Sequence, residues 1–308
     1  MPSAKRTALA LGTASSLFFS ITFILNRLMS LGGGGWIWSA SLRFYWMLPF
    51  FLIIVGMRRN FQELILEIKR NLTQWMIWST VGFGLFYASL TYAAAYGPSW
   101  LVASTWQITI VAGMIIAPFI NPTATQKQTG FFSSFMFSGI ILFGIAIMQV
   151  HQAESFSLNS FLIGVLPVVV AAFAYPLGNR KIMQMANRRL DVYQRILGML
   201  VCSMPFWLLL SGYGLFIEHN APEESQYMQT FVVAICSGVI ATALFFSATD
   251  KVSHDEQSLA GVEATQSTEV LFALLGEVWL LGSPLPDIYA LIGVLSVILG
   301  MVLHSLRK

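Results

Sequence analysis

Ten runs of about twenty mostly apolar residues follow one another along this 308-residue chain, at 7–30, 35–57, 74–95, 98–120, 130–151, 159–183, 193–217, 228–249, 259–282 and 286–306. A helix of that length matches the hydrocarbon core of a bilayer, so the pattern predicts an all-α integral membrane protein with ten transmembrane helices. Charged residues are 10% of the chain, against about 25% in a soluble domain, and mean hydropathy is +0.71. The connections are too short to bury a core of their own. The longest, 58–73, holds FQELILEIKR, an amphipathic piece expected to lie at the interface. No small-residue cleavage site ends the first run, which reads as a first spanning helix.

Orientation follows from the basic residues. Lys5, Arg6, Arg58, Arg59, Lys69, Arg70, Lys127, Lys181, Arg188, Arg189, Lys251, Arg307 and Lys308 fall in alternate connections or the two tails; connections 31–34, 96–97, 152–158, 218–227 and 283–285 have neither Lys nor Arg. Both termini are therefore expected in the cytoplasm of a cell whose inner (plasma) membrane holds the protein. The net charge of +3 is scattered in short clusters, which excludes a nucleic-acid-binding stripe. Cys202 and Cys236 lie within apolar runs and read as buried core residues, not as a disulfide or a metal site.

A weak internal repeat is present. FILNRLM (Phe23–Met29) resembles PLGNRKIM (Pro176–Met183), RFYWML (Arg43–Leu48) resembles RILGML (Arg195–Leu200), LFYAS (Leu85–Ser89) resembles LFFSA (Leu244–Ala248), and WQIT (Trp106–Thr109) resembles TQST (Thr265–Thr268). The matches keep the same order, which predicts two five-helix halves, 1–151 and 152–308. Five is odd, so the second half enters from the opposite side. That is an inverted-topology repeat, with a substrate site near the midplane between the halves.

The ninth run carries Glu263, Glu269 and Glu277. A carboxylate at the bilayer centre costs about 2.5–3.5 kcal/mol on insertion scales, so such groups face a partner or a watered cavity. At about 100° per residue, Glu263 and Glu277 fall about 40° apart and Glu269 about 80–120° from both. Glu269 is nearest the midplane and, with Thr265 and Gln266, makes a polar patch for substrate or proton. A carboxyl group removed from water favours its protonated form, which suits alternation between a proton and a cationic substrate. The alternative is that Glu269 only hydrogen-bonds across helices. Glu277 with Arg27 and Arg43 outside, and Glu263 with Arg180 and Arg195 inside, are expected to form two gate clusters. Static packing or snorkelling of the arginines is the alternative.

Most aromatics of the first half (Trp36, Trp38, Tyr45, Trp46, Trp75, Trp78, Tyr92, Tyr96 and Trp100) read as an interfacial belt. Tyr87 and Trp106 sit deeper and are candidate cavity walls, able to hold an aromatic or cationic substrate. Gln107 and Thr109 join them as repeat counterparts of Gln266 and Thr268. Gly82, Gly84, Ala88, Ala93–Ala95, Gly139 and Gly144 are expected to permit close helix approach.

SSLFFSITFILNRLM (15–29), GGGWIWSASLRFYWMLPF (33–50), EATQSTEVLFALLGEVWLLG (263–282) and the closing GVLSVILGMVL (293–303) resemble the drug/metabolite transporter superfamily, nearest its multidrug resistance efflux transporter branch. The resemblance covers essentially the whole chain and implies the ten-helix duplicated plan without naming a substrate. The chain departs from many members after the ninth helix, where Gly282 is followed by Ser283-Pro284 instead of an acidic residue.

The class expected is thus a secondary transporter exporting cationic drugs or metabolites by alternating access, with protons in exchange. An amino-acid or metabolite facilitator without proton coupling is the alternative. No Walker-type loop, HExxH or GxSxG is present, so neither ATP hydrolysis nor an enzyme is expected, and DKVSHDE (Asp250–Glu256) reads as a solvated loop. No cofactor or metal is expected. The partners are a small molecule, the bilayer and protons, and a monomer suffices.

Overall fold

The computed structural model describes residues 2–58, 61–120, 131–152, 161–186, 189–252, 258, 261–262 and 265–306. Every regular element among them is helical. That is the expected answer to lipid, where each backbone N–H and C=O must find its partner within its own segment. Among the described residues, five helices are long and apolar enough to cross a membrane: Lys5–Leu31, Trp36–Met57, Leu162–Ala186, Val192–Phe216 and Glu224–Val252. Large side chains such as Leu209, Phe216, Trp279 and Leu280 stand more than 70% exposed, a surface suited to acyl chains.

The elements in order are α1 (Pro2–Leu31), α2 (Trp36–Met57), α3 (Phe61–Arg70), α4 (Leu72–Ser79), α5 (Phe86–Tyr96), α6 (Ser99–Trp106), α7 (Ile108–Ile120), α8 (Phe131–Gln152), α9 (Leu166–Ala186), α10 (Val192–Phe216), α11 (Glu224–Val233), α12 (Thr242–Val252), α13 (Thr268–Leu280) and α14 (Ile288–Leu306). Each of the ten apolar runs is mostly helical where described, but half of them are irregular or divided. Widened π-helical turns, which commonly mark functional places in helices, join α4 to α5 at Thr80–Leu85 and α11 to α12 at Ala234–Ala241, and precede α9 at Phe161–Val165. In the second of these, Thr242 Oγ1 donates to the Ser237 carbonyl at 3.0 Å, five residues back. The fourth run breaks at Gln107, between α6 and α7. The ninth opens with a 3₁₀ turn at Thr265–Ser267 before α13 begins. A single 100° wheel therefore does not describe the ninth run, and the angles expected of its three acids do not apply.

The main core gathers where α2, α5 and α10 meet. Phe44 stacks on Trp207 with ring centroids 4.3 Å apart, and Tyr87 meets Phe44 edge-on at 5.5 Å. Trp75 is fully buried, and Trp38 and Trp100 nearly so. These three belong to the interior, which corrects the expectation of an interfacial belt: the helices beside them cover what a lone helix would show to headgroups.

Glycine permits the closest crossing. A Cβ on Gly178 of α9 would collide with the Gly82 backbone and lie 2.7 Å from the Trp78 carbonyl oxygen. Of the small residues expected at crossings, Gly84 and Gly144 also face close neighbours, whereas Gly139 has nothing within 4 Å of its would-be Cβ.

The connections sort to two ends. At one, Arg58 pairs with Asp191 at 3.2 Å, Arg189 with Glu67 of α3 at 3.0 Å, and Gln194 donates to Glu63 at 3.0 Å. At the other, Trp38 Nε1 donates to the Asn220 carbonyl at 2.8 Å and Gln226 Nε2 to the Gly35 carbonyl at 3.0 Å. The first contacts join connection 58–73 to the turn before α10, both rich in Lys and Arg; the second tie the start of α2 to connection 218–227, which has neither.

Candidate functional site

A cavity of about 270 Å³ lies between the helices. Its wall combines Glu269 of α13, Gln266 of the preceding turn, Arg43 of α2, Tyr87 of α5, Trp106 and Thr109 at the α6–α7 break, and Asn179, Arg180 and Arg195 of α9 and α10. The wall reaches Met183, Arg195 and Thr249, at the ends of α9, α10 and α12 where the basic connections gather. Among the described residues it includes none of the connection 32–35 at the opposite end.

Glu269 is 1% exposed. Among the described residues its carboxylate has neither a hydrogen bond nor an ion pair, unlike Glu277 on the same helix. It sits in the first turn of α13, where the amide N–H groups of a helix start favour a nearby negative charge. Gln266 is fixed from α1: its Nε2 donates to Ser16 Oγ at 3.1 Å and to Ser15 Oγ at 3.3 Å. Ser16 Oγ in turn lies 2.9 Å from the Thr265 carbonyl and donates to it. The two serines of α1 thus hold the irregular turn that starts α13. They were not among the expected site residues, although the Ser15–Ser16 pair inside an apolar run was visible.

Thr265 itself points elsewhere. Its hydroxyl donates to the Val262 carbonyl at 2.6 Å, and the residue is not part of the wall. Gln107 is also outside the wall; its Nε2 donates to Ala103 at 3.1 Å, and its Oε1 has no donor among the described residues. Thr109 donates to the Ala172 carbonyl at 3.2 Å. Trp106 packs with Phe86 and Tyr175 into an aromatic corner, with ring centroids 4.7–5.6 Å apart.

The outer charge cluster differs from expectation. Glu277 does not meet Arg27 or Arg43. Its Oε2 accepts from the Ser99 amide at 2.8 Å and from the Ser99 hydroxyl, and its Oε1 from the Ser283 hydroxyl at 3.2 Å. The carboxylate caps the start of α6 from a neighbouring helix, a geometry that satisfies otherwise orphaned amides. Arg27 donates to the Ala95 carbonyl at 3.3 Å, at the end of α5, and stays outside the cavity. Arg43 reaches the cavity, where its Nη2 donates to Ser237 Oγ at 3.0 Å and its guanidinium lies 4.0 Å above the Tyr87 ring centroid. Asn26 supports that ring through a 3.3 Å bond to the Tyr87 hydroxyl.

Glu263 lies outside the described residues. Arg180 donates to the Gly113 carbonyl at 2.6 Å, and Arg195 takes both Asp250 oxygens at 3.0 Å. Sequence reasoning placed Asp250 in a solvated loop; it sits instead in the last turn of α12.

Comparison with known proteins bears on what such a cavity serves. The chain is 51% identical over 305 residues to "Uncharacterized protein YjlA" of Bacillus subtilis (strain 168), covering 97% of this chain and 94% of that protein. It is 46% identical over 266 residues to "Uncharacterized 42.1 kDa protein in intracellular alkaline protease 3'region" of Shouchella clausii, covering 85% and 70%. A solved structure described as "Crystal structure of protein" aligns with a TM-score of 0.65 and 14% identity, over 98% of this chain and 97% of that one, a likeness of fold alone. Residues 6–308 match the family model EmrE, described as "Putative multidrug resistance efflux transporter". A helical membrane bundle around a largely apolar cavity with a few charged and polar groups, and a match over nearly its whole length, places this chain in the EmrE family of efflux transporters.

Proposed function

We propose that the protein is a secondary active transporter that exports small organic molecules by alternating access, with the cavity as its substrate site and Glu269 as the group that exchanges a proton. The observation that carries this reading is a buried carboxylate on a cavity wall with no hydrogen bond or ion pair among the described residues. At such depth the ionised form of a carboxyl group is costly, so its uptake and release of a proton can be tied to whether the cavity is occupied, which is what coupling requires. Gln266, held by Ser15 and Ser16, offers an amide beside it.

The architecture we propose is ten transmembrane helices in two five-helix halves, 1–151 and 152–308, of opposite topology, with both termini in the cytoplasm at the plasma membrane. Paired irregularities support the duplication. The breaks at Gln107 and at Thr265–Ser267 fall at matching motifs, and π-helical turns recur at Thr80–Leu85 and Ala234–Ala241 in corresponding helices. Arg27 and Arg180, matched in the repeat, both donate to a carbonyl of a neighbouring helix. The sorting of basic connections to one end supports the orientation. The cavity then opens toward the cytoplasm. The outer end is tied by Trp38 to Asn220, Gln226 to Gly35 and Glu277 to Ser99.

Reconstituted proteoliposomes test this. Flux of a charged and uncharged probe panel is expected to respond to an imposed pH gradient in wild type and to lose that response in Glu269→Gln. Wild-type flux that is indifferent to the gradient would remove the proton from the mechanism and leave a facilitator.

A further inference from the structure

The wall of the cavity carries three arginines, Arg43, Arg180 and Arg195, and among the described residues a single carboxylate, Glu269. Two of the arginines are answered locally: Arg195 by Asp250, and Arg180 by the Gly113 carbonyl. Arg43 is not. It is 5% exposed, lies eight positions into α2, and has no acidic partner among the described residues. One of its nitrogens donates to Ser237, its face rests on Tyr87, and its Nε has no acceptor. A guanidinium at this depth is costly unless an anion answers it, and its fork of donors matches a carboxylate in two parallel bonds.

We infer that the occupant of this cavity is an organic anion, an aromatic carboxylate, whose charged group is received by Arg43 and whose ring lies in the corner formed by Phe86, Trp106 and Tyr175. The inference rests on the reading of the cavity as the transport site and supplies its substrate class. The ring corner and the guanidinium belong to the same wall. The cavity volume of about 270 Å³ is near the lower end of ligand sites, about 300–1,000 Å³, which limits the occupant to one or two rings. A cation entering the same space would meet Glu269 favourably but face the guanidinium of Arg43 with no counter-ion between. The expectation of a cationic substrate weighed Glu269 and the rings of Tyr87 and Trp106; the arginines come together only when α2, α9 and α10 are assembled.

The test uses the full-length protein with three probes of similar bulk: 2-naphthoate, the cation 2-naphthylmethylammonium and phenylalanine. Binding is measured by calorimetry in detergent and flux in proteoliposomes. Naphthoate is expected to bind and to be carried, with affinity about 10- to 100-fold weaker in Arg43→Gln, the loss expected for removing bonds to a charged group. Arg43→Lys keeps the charge without the fork and is expected to fall between, which separates recognition from a folding defect. Naphthoate affinity equal to wild type in folded Arg43→Gln overturns the assignment. Flux of 2-naphthylmethylammonium or phenylalanine without naphthoate overturns the anion and leaves transport standing. Flux of none of the three overturns both.

Discussion

Glu277 provides the sharpest check on the geometry, because sequence and structure assign it different partners. It accepts from the amide and hydroxyl of Ser99 and from the Ser283 hydroxyl; an outer gate cluster would instead couple it to Arg43. Hydrogen bonds to charged groups are worth about 1.5–3 kcal/mol each, but interhelical pairs in membranes average about 0.6 with a maximum near 1.7 kcal/mol. Ser99→Ala removes only the hydroxyl and leaves the amide in place. The expected coupling in a Glu277→Gln, Ser99→Ala cycle is therefore about 1 kcal/mol and at most about 1.7, with about zero for Glu277→Gln and Arg43→Gln. Unfolding equilibria in mixed detergent micelles, measured on both cycles, supply the numbers. Coupling of Glu277 to Arg43 and not to Ser99 would refute the capping account and restore the gate cluster.

Three further substitutions have defined outcomes. Gly178→Ala is expected to destabilise by about 1–3 kcal/mol or more, and more than Gly82→Ala. The Cβ of the first meets backbone, whereas that of the second lies 3.1 Å from Gly178 Cα and the flexible Met199 end; thermal unfolding of both variants ranks them. Ser16→Ala leaves Gln266 only its 3.3 Å bond to Ser15 and takes the α1 hydroxyl from the Thr265 carbonyl, so probe affinity by calorimetry should fall with a stability loss of about 1 kcal/mol. Glu269→Gln replaces a buried carboxylate by its neutral isostere, so thermal stability should hold or rise while gradient-driven flux disappears. A large stability loss would mark the residue as structural.

The apolar runs announced the helices because lipid leaves the backbone no other satisfied form in a single segment. The breaks within them were less legible. Gln107 and Gln266 looked like polar insertions, and their role at helix interruptions depends on carbonyls freed by the break and on serines from α1. Thr265 was placed beside Glu269 by an ideal helical wheel, but the 3₁₀ turn rotates it out of the cavity. Trp75 and Trp100 looked interfacial because sequence position reports depth and not which face a neighbouring helix covers. Tyr87, Trp106 and Thr109 do line the cavity.

The polar residues buried in these helices fall into two kinds, and the division is chemical. Arg27, Arg180 and Glu277 each spend their charge on backbone groups at helix ends or on exposed carbonyls. Such contacts lower the cost of burial and are fixed by the fold, so the residues that make them are held in place. Glu269 and Arg43 lie on one cavity wall, opposite in sign, without an ion pair between them and without full satisfaction from the protein. A bundle selected only for stability would bring such a pair together or replace both by apolar groups, which is often neutral or stabilising. Keeping them apart across a cavity makes sense where a visiting molecule completes the electrostatics in one state and a proton does so in another. For that reason these two residues, on α13 and α2, carry the functional argument, while the more numerous buried charges are accounted for by the architecture.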